Sequence, residues 1–233
     1  MLITNSIVNT KFCVGLSDIS DSYVGFIIDQ WGVLHNGETP YEGVVECLRE
    51  LQRRKKYVII LSNSGKRADV NQERLESLGI PPNLYNSIIT SGEVTWQGLH
   101  DQDDGYFKGI GKKCVIISRG GDRSIVEGLD VEVVKNPKDA SFILISGADS
   151  PDMTVEDYEP LLREAARYEL KAICANPDSL GVMGSQNIMG PGTLAARYKD
   201  SAGSCIISAS RTSRFSSIVF ACCNRTISIP GRR

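Results

Sequence analysis

This sequence predicts an α/β fold built on a doubly wound parallel sheet, and three observations carry that reading. Short apolar runs at 24–28, 57–61 and 87–90 have the length of buried strands. Helical stripes fill the gaps between them. The resulting order, strand-helix-strand-helix-strand, is the alternation of a doubly wound α/β domain. A chain of 233 residues has room for one large domain or two small ones.

The first strand is Val24-Gly25-Phe26-Ile27-Ile28, and it delivers Asp29 to its C-terminal end. Tyr41, Val44, Val45, Leu48 and Leu51 then follow a helical stripe, with Pro40 just ahead of it. Arg53-Arg54-Lys55-Lys56 closes that helix with the charge its C-terminal dipole favours. The second strand, Tyr57-Val58-Ile59-Ile60-Leu61, ends in Ser62-Asn63-Ser64. A second helix runs from about Ala68 to Leu78, stopped by Gly79 with Pro81-Pro82 beyond. Ser87-Ile88-Ile89-Thr90 is a third strand, and Thr90-Ser91-Gly92-Glu93 reads as a turn with a helix cap.

From Trp96 to Gly111 the composition changes, and His100-Asp101-Gln102-Asp103-Asp104-Gly105 reads as a loop, with His100 at the surface. A second alternation follows. Cys114-Val115-Ile116-Ile117, Phe142-Ile143-Leu144-Ile145 and Lys171-Ala172-Ile173-Cys174 read as strands. Val155, Tyr158, Leu161, Leu162 and Ala165 make a helix capped by Thr154, with Asp157 three residues on. Ser118-Arg119-Gly120-Gly121 lacks the spacing of a dinucleotide loop and reads as a turn. The expected division is 1–95, the N-terminal part of a core; 96–195, a second α/β unit; and 196–233, an atypical tail. No internal repeat is visible.

Composition narrows the partners. Hydrophobic residues at 41% and charged residues at 23% fit a globular protein outside the membrane. A formal net charge of −2 offers no attraction to nucleic acid or membrane, so neither is expected as a partner. No apolar run approaches the roughly 20 residues that span a bilayer. The seven cysteines show no metal-ligand spacing, and Cys47, Cys114 and Cys174 read as buried free thiols. A reducing, cytoplasmic setting is the expectation.

Ligands of open α/β sheets bind outside the carboxyl ends of the strands. Asp29 and Ser62 are therefore expected to face one crevice. An acid that attacks and holds a divalent metal, beside a hydroxyl and backbone amides that hold phosphate oxygens, suits phosphoryl transfer. Lys66 and Arg67 read as a solvated face, with contact to an anionic substrate as the alternative, and His35 as a loop histidine bonded locally, with a general base as the alternative.

The stretches Asp29-Gln30-Trp31-Gly32-Val33-Leu34-His35-Asn36-Gly37, Leu61-Ser62-Asn63-Ser64 and Thr90-Ser91-Gly92-Glu93 carry a resemblance, continued by Cys174-Ala175-Asn176-Pro177-Asp178. Together they resemble the haloacid dehalogenase superfamily, in particular its class II branch, over residues 24–199. The resemblance implies a Rossmann-like core with an α/β cap inserted at 96–195. It implies a Mg²⁺-dependent phosphate monoesterase that acts on a small phosphorylated metabolite through an aspartyl-phosphate. Asp29 would be the nucleophile and a metal ligand, and the backbone carbonyl of Trp31 a second ligand. Ser62 and Asn63, with Asn176 and Asp178 from the cap, would bind substrate.

Trp31 departs from the pattern, because active phosphatases of the family usually place a second Asp there. That residue protonates the leaving oxygen, a contribution of about 10²–10⁴-fold. Two alternatives therefore stand beside the phosphatase: a catalytically silent phosphate-binding or regulatory protein, and a dehalogenase, whose members carry an aromatic residue at this position. From Ser201 to Arg233 the chain has eight Ser, five Arg and no Asp, Glu or Lys. The lysine motif and second acidic motif that the resemblance would place after the cap are missing from this stretch. The expectation is an aberrant or truncated form whose tail does not rebuild the core.

Overall fold

A computed structural model describes residues 12–103, 106–183, 186–202 and 206–208. A short helix, α1 (Ser17–Ser20), precedes the first strand. The first unit comprises β1 (Gly25–Asp29), α2 (Val44–Arg53), β2 (Tyr57–Ser62), α3 (Ala68–Ser77) and β3 (Ser87–Thr90). Its three strands are parallel, in the order β1-β2-β3. Leu48 and Leu51 of α2 and Leu75 of α3 pack with Val58 and Ile60, so these helices cover one face of the sheet. The first helix begins at Val44, after Gly43 at φ 80, three residues later than the stripe from Tyr41 suggested. Gly79, at φ 83, ends α3 as expected.

The second unit contains β4 (Lys113–Ile117), β5 (Glu132–Val133), β6 (Phe142–Ile145), α5 (Val155–Arg167), β7 (Lys171–Cys174), the antiparallel hairpin β8 (Leu180–Met183) and β9 (Gln186–Met189), α6 (Pro191–Ala202) and β10 (Ile206–Ser208). Its parallel sheet has the order β10-β7-β6-β4-β5. The central strand β6 is fully buried. Ile143 and Ile145 meet Leu162 of α5 and Tyr198 of α6 on one face. Phe142 and Leu144 meet Leu99, Phe107 and Ile110 on the other. Each such side chain contributes roughly 1.5–3 kcal/mol when fully buried. Asp157 reaches back to the Thr154 N–H at 2.8 Å and starts α5 as the sequence suggested.

Leu99 belongs to α4 (Ser91–Asp101), whose start is the expected helix cap, with Thr90 Oγ1 accepting the Glu93 N–H; the helix then runs on to Asp101, where a loop was expected from His100. It starts at the end of β3 and ends packed on the second sheet, so the expected boundary at 95/96 falls inside it. Gly98 permits the packing, since a Cβ there would lie 2.4 Å from the Phe107 ring. The expected boundary at 195 likewise falls inside α6. Ile206–Ser208 pairs with β7 and so extends the second sheet. The rest of the atypical tail, 209–233, lies outside the described residues.

Cysteine placement is split. Cys114 and Cys174 are buried thiols, but Cys47 is exposed. It lies off the stripe that Val44, Val45, Leu48 and Leu51 turn inward, which explains why the expectation of burial fails.

Candidate active site

Asp29 is the last residue of β1 and lies beside Leu61 of β2. Its side chain is exposed, and its Oδ1 accepts the Gln30 N–H at 2.8 Å. The loop that follows is tied to itself: Leu34 N–H donates to Gln30 O, and Gly32 N–H to His35 O. Trp31 anchors this loop. Its ring meets His35 edge-on at 4.8 Å and presses on Gly37, where a Cβ would come within 2.6 Å. The Arg74 guanidinium lies 5.1 Å above the indole and donates to the Gly37 carbonyl. The indole is thus committed to the loop.

His35 is fully buried, and its Nδ1 accepts the Gly37 N–H at 2.9 Å. Burial, reinforced by the nearby Arg74 charge, lowers its pKa to about 4. At neutral pH the ring is uncharged with its proton on Nε2, which has no partner. This is a locally bonded loop histidine, as expected.

At the end of β2 the register separates two residues that the sequence treated together. Asp29 lies beside Leu61, while Ser62 pairs with Thr90 one step further along. Side chains alternate along a strand, so Asp29 and Ser62 leave the sheet on opposite sides. Ser62 is 2% exposed, and its hydroxyl accepts the Ser64 N–H at 3.2 Å. The two strand ends do coincide, but the expected convergence of the two side chains does not occur. Ser62 shapes the loop; Asn63 is the exposed neighbour, and its Nδ2 donates to Asp178 Oδ1 at 3.1 Å.

Asp178 comes from the second unit, in the turn after β7. Asn176 Oδ1 accepts the Asp178 N–H at 2.9 Å, and Gly192 N–H donates to Asp178 O at 2.9 Å. The packing requires glycine, since a Cβ at Gly192 would lie 2.1 Å from Pro177 O. Burial raises the Asp178 pKa; the hydrogen bond from Asn63 opposes this, and the charge of Asp29 adds to it. The two carboxyls therefore sense each other across the crevice between the units. Asn176 spends its side-chain oxygen on the turn and holds Asp178 in place.

Three further contacts seat the second unit on the first. Gly65 packs on Ser146, where a Cβ would lie 2.2 Å from the carbonyl oxygen. Lys66 pairs with Asp122 at 3.4 Å. Arg67 holds Glu93 with two hydrogen bonds, 2.6 and 3.1 Å, and lies 4.1 Å over Trp96, whose indole N–H donates to Glu127 O. Lys66 and Arg67 are thus junction residues: Lys66 is exposed, as expected, while Arg67 is largely shielded, so the solvated face expected for it is not found. Glu93, Trp96 and Asp122 were missed as partners because nothing local in the sequence links them. His100, expected at the surface, is exposed, stacks on Trp96 and bonds Asp101.

Among the described residues no group of three His, Cys, Asp or Glu side chains is placed to hold a metal. Asp29 and the Trp31 carbonyl are both oxygen donors, the kind a hard divalent cation takes. They fit Mg²⁺ in its usual protein setting, with one or two carboxylates, waters and a substrate phosphate. They do not form an all-protein cage. No described helix is long and apolar enough to cross a membrane.

Comparison with known proteins agrees with the fold. A family model described as haloacid dehalogenase-like hydrolase matches residues 26–132. A solved hydrolase of the haloacid dehalogenase-like family from Brucella suis 1330 superposes with a TM-score of 0.77 at 28% identity, over 90% of this chain and 78% of that one. Over residues 26–132 the chain is similar to haloacid dehalogenase-like hydrolases, and it shares their fold. Two more distant structures share the fold. A 4-nitrophenylphosphatase from Thermotoga maritima has a TM-score of 0.65 at 19% identity, over 88% of this chain and 76% of that one. A glycerol phosphate phosphatase from Mycobacterium tuberculosis, in complex with magnesium, has a TM-score of 0.66 at 18% identity, over 88% of this chain and 60% of that one. No curated protein sequence gives a significant match.

Proposed function

We propose that this haloacid dehalogenase-like protein is a phosphatase that hydrolyses a small phosphorylated metabolite in the cytoplasm, through a covalent phosphate on Asp29. The observation that carries the reading is the position of Asp29. It is an exposed carboxylate at the C-terminal end of a parallel strand, under a second unit that brings polar groups to the same crevice.

Its Oδ1 is held by the Gln30 N–H, which fixes the carboxylate for in-line attack on phosphorus. The loop after Ser62, shaped by the Ser64-to-Ser62 hydrogen bond, would meet the phosphate, with Asn63 at its exposed edge. Asp29 and the Trp31 carbonyl would hold Mg²⁺, which neutralises phosphate charge when bound. Asp178, held by Asn176, faces the substrate from the second unit, which acts as a cap.

One observation favours a second reading, a phosphate-binding protein without turnover. Trp31 occupies the family's acid position, and its indole is locked against Gly37 and Arg74. Hydrolysis of 4-nitrophenyl phosphate with Mg²⁺ separates the two. The phosphatase reading expects steady turnover in the wild type and its loss in Asp29→Asn. Stoichiometric binding of phosphate with no release of nitrophenolate would establish the silent protein instead.

A further inference from the structure

In-line displacement at Asp29 needs a proton donor on the far side of the phosphorus, where the leaving oxygen departs. Trp31 cannot supply one, because an indole has no acidic group and this one is committed to its loop. His35 is buried with Nδ1 already occupied. Asp122 is bound to Lys66 and accepts the Ser124 N–H. Among the described residues, Asp178 brings a carboxyl from the second unit to the loop that follows β2, the strand beside Asp29, and Asn63 holds it there at 3.1 Å.

We propose that Asp178 is the proton-transfer residue of this site and takes over the work that Trp31 cannot perform. The inference rests on the phosphatase reading above. In the first step an Asp29 oxygen forms a bond to phosphorus while the ester P–O bond breaks. The electron pair goes to the leaving oxygen, which takes the proton of the Asp178 carboxyl. In the second step water attacks the phosphorus and gives its proton to the Asp178 carboxylate. The bond from phosphorus to Asp29 breaks, and its pair returns to the Asp29 carboxylate. The sum is ester plus water giving alcohol plus phosphate, with both carboxyls restored.

The raised pKa of Asp178 supports the role, because burial and the facing Asp29 both favour its protonated form. The mounting is rigid: Asn176 bonds its amide, Gly192 its carbonyl and Asn63 its carboxyl.

The test compares kcat/KM for ethyl phosphate and for 4-nitrophenyl phosphate in wild type, Asp178→Asn, Asp178→Glu and Asp29→Asn. An Asn at 178 can still accept from Asn63, so the fold is kept; thermal unfolding checks this. For ethyl phosphate, whose leaving oxygen needs a proton, Asp178→Asn should lose about 10²–10⁴-fold. For 4-nitrophenyl phosphate the loss should stay below about tenfold, because nitrophenolate leaves unprotonated. A burst of nitrophenolate should precede slow turnover as water attack becomes limiting, and Asp178→Glu should recover part of the loss. Equal loss on both substrates, or no loss, would overturn the assignment while leaving Asp29 in its role. Wild-type activity that survives Asp29→Asn, or no wild-type hydrolysis of either ester, would overturn the phosphatase reading and this inference with it.

Discussion

The two parallel sheets of this protein follow one construction rule and differ in how far it is completed. In the second sheet the central strand β6 has a strand on each side and a helix or loop layer on each face, and all four of its residues are buried. In the first sheet, β1 pairs with β2 alone among the described strands, and Ile27 in its middle is 50% exposed. The candidate nucleophile stands at the end of the less covered strand. The second unit supplies the better-packed core and, through Asp178, one acid of the crevice. The better-packed core and the candidate nucleophile thus lie on different sheets.

The sharpest way to break that contrast is to remove matched side chains. Leu144→Ala in β6 should destabilise by about 2–5 kcal/mol, the cost of a cavity in a closed core. Ile27→Ala, already half in solvent, should cost less than about 1 kcal/mol. Denaturant titration of both variants checks this, and comparable losses would show that the two sheets are equally covered.

The loop above β1 carries a pH dependence of its own. Its buried His35 has a folded pKa lowered to about 4, against an unfolded value of 6.5. Below pH 6.5 the unfolded chain binds a proton that the folded chain refuses. The stability contributed by this group is therefore complete above pH 6.5, is lost as pH falls towards 4, and changes no further below that. The total is on the order of 3 kcal/mol. In His35→Gln this part of the slope should vanish in denaturation curves taken between pH 7 and 4.5. An unchanged slope would mean that other groups carry it.

At the junction of the units the effects should be smaller. Arg67 and Glu93 are largely shielded and doubly bonded. Removing the acceptor with Glu93→Ala should cost about 1–3 kcal/mol. Lys66 is half exposed in its pair with Asp122, so Lys66→Ala should cost less than about 1 kcal/mol and less still in high salt. Reversal of that order would mean that the exposed pair is what seats the second unit.

What was legible in the sequence follows from how local its cause was. The strands at 142–145 and 171–174 were readable because an apolar run between breakers has few alternatives. The extent of helix α4 was missed because its inward residues serve two sheets, with Val94 deep at its start and Leu99 in the core of the second unit. Its polar continuation at 100–105 read as loop. The hairpin β8–β9 and helix α6 gave no separate signal, since their burial depends on α5 and β7.

At the candidate site, the place of Asp29 at the end of a strand was legible, whereas Asp178 came only from the resemblance. The direction of Ser62 was not, because it depends on the register between β1 and β2. The pairing of Arg67 with Glu93 and Trp96 spans more than twenty residues and required the fold.

The central claim is that Asp29, on the less covered sheet, is the group that carries the phosphoryl moiety. The most direct test is to quench the protein in acid during turnover of 4-nitrophenyl phosphate with Mg²⁺ and map its peptides by mass spectrometry. The account predicts an acid-stable, hydroxylamine-sensitive phosphate on the peptide containing Asp29, absent in Asp29→Asn. Turnover without that adduct, or an adduct on another residue, would contradict it.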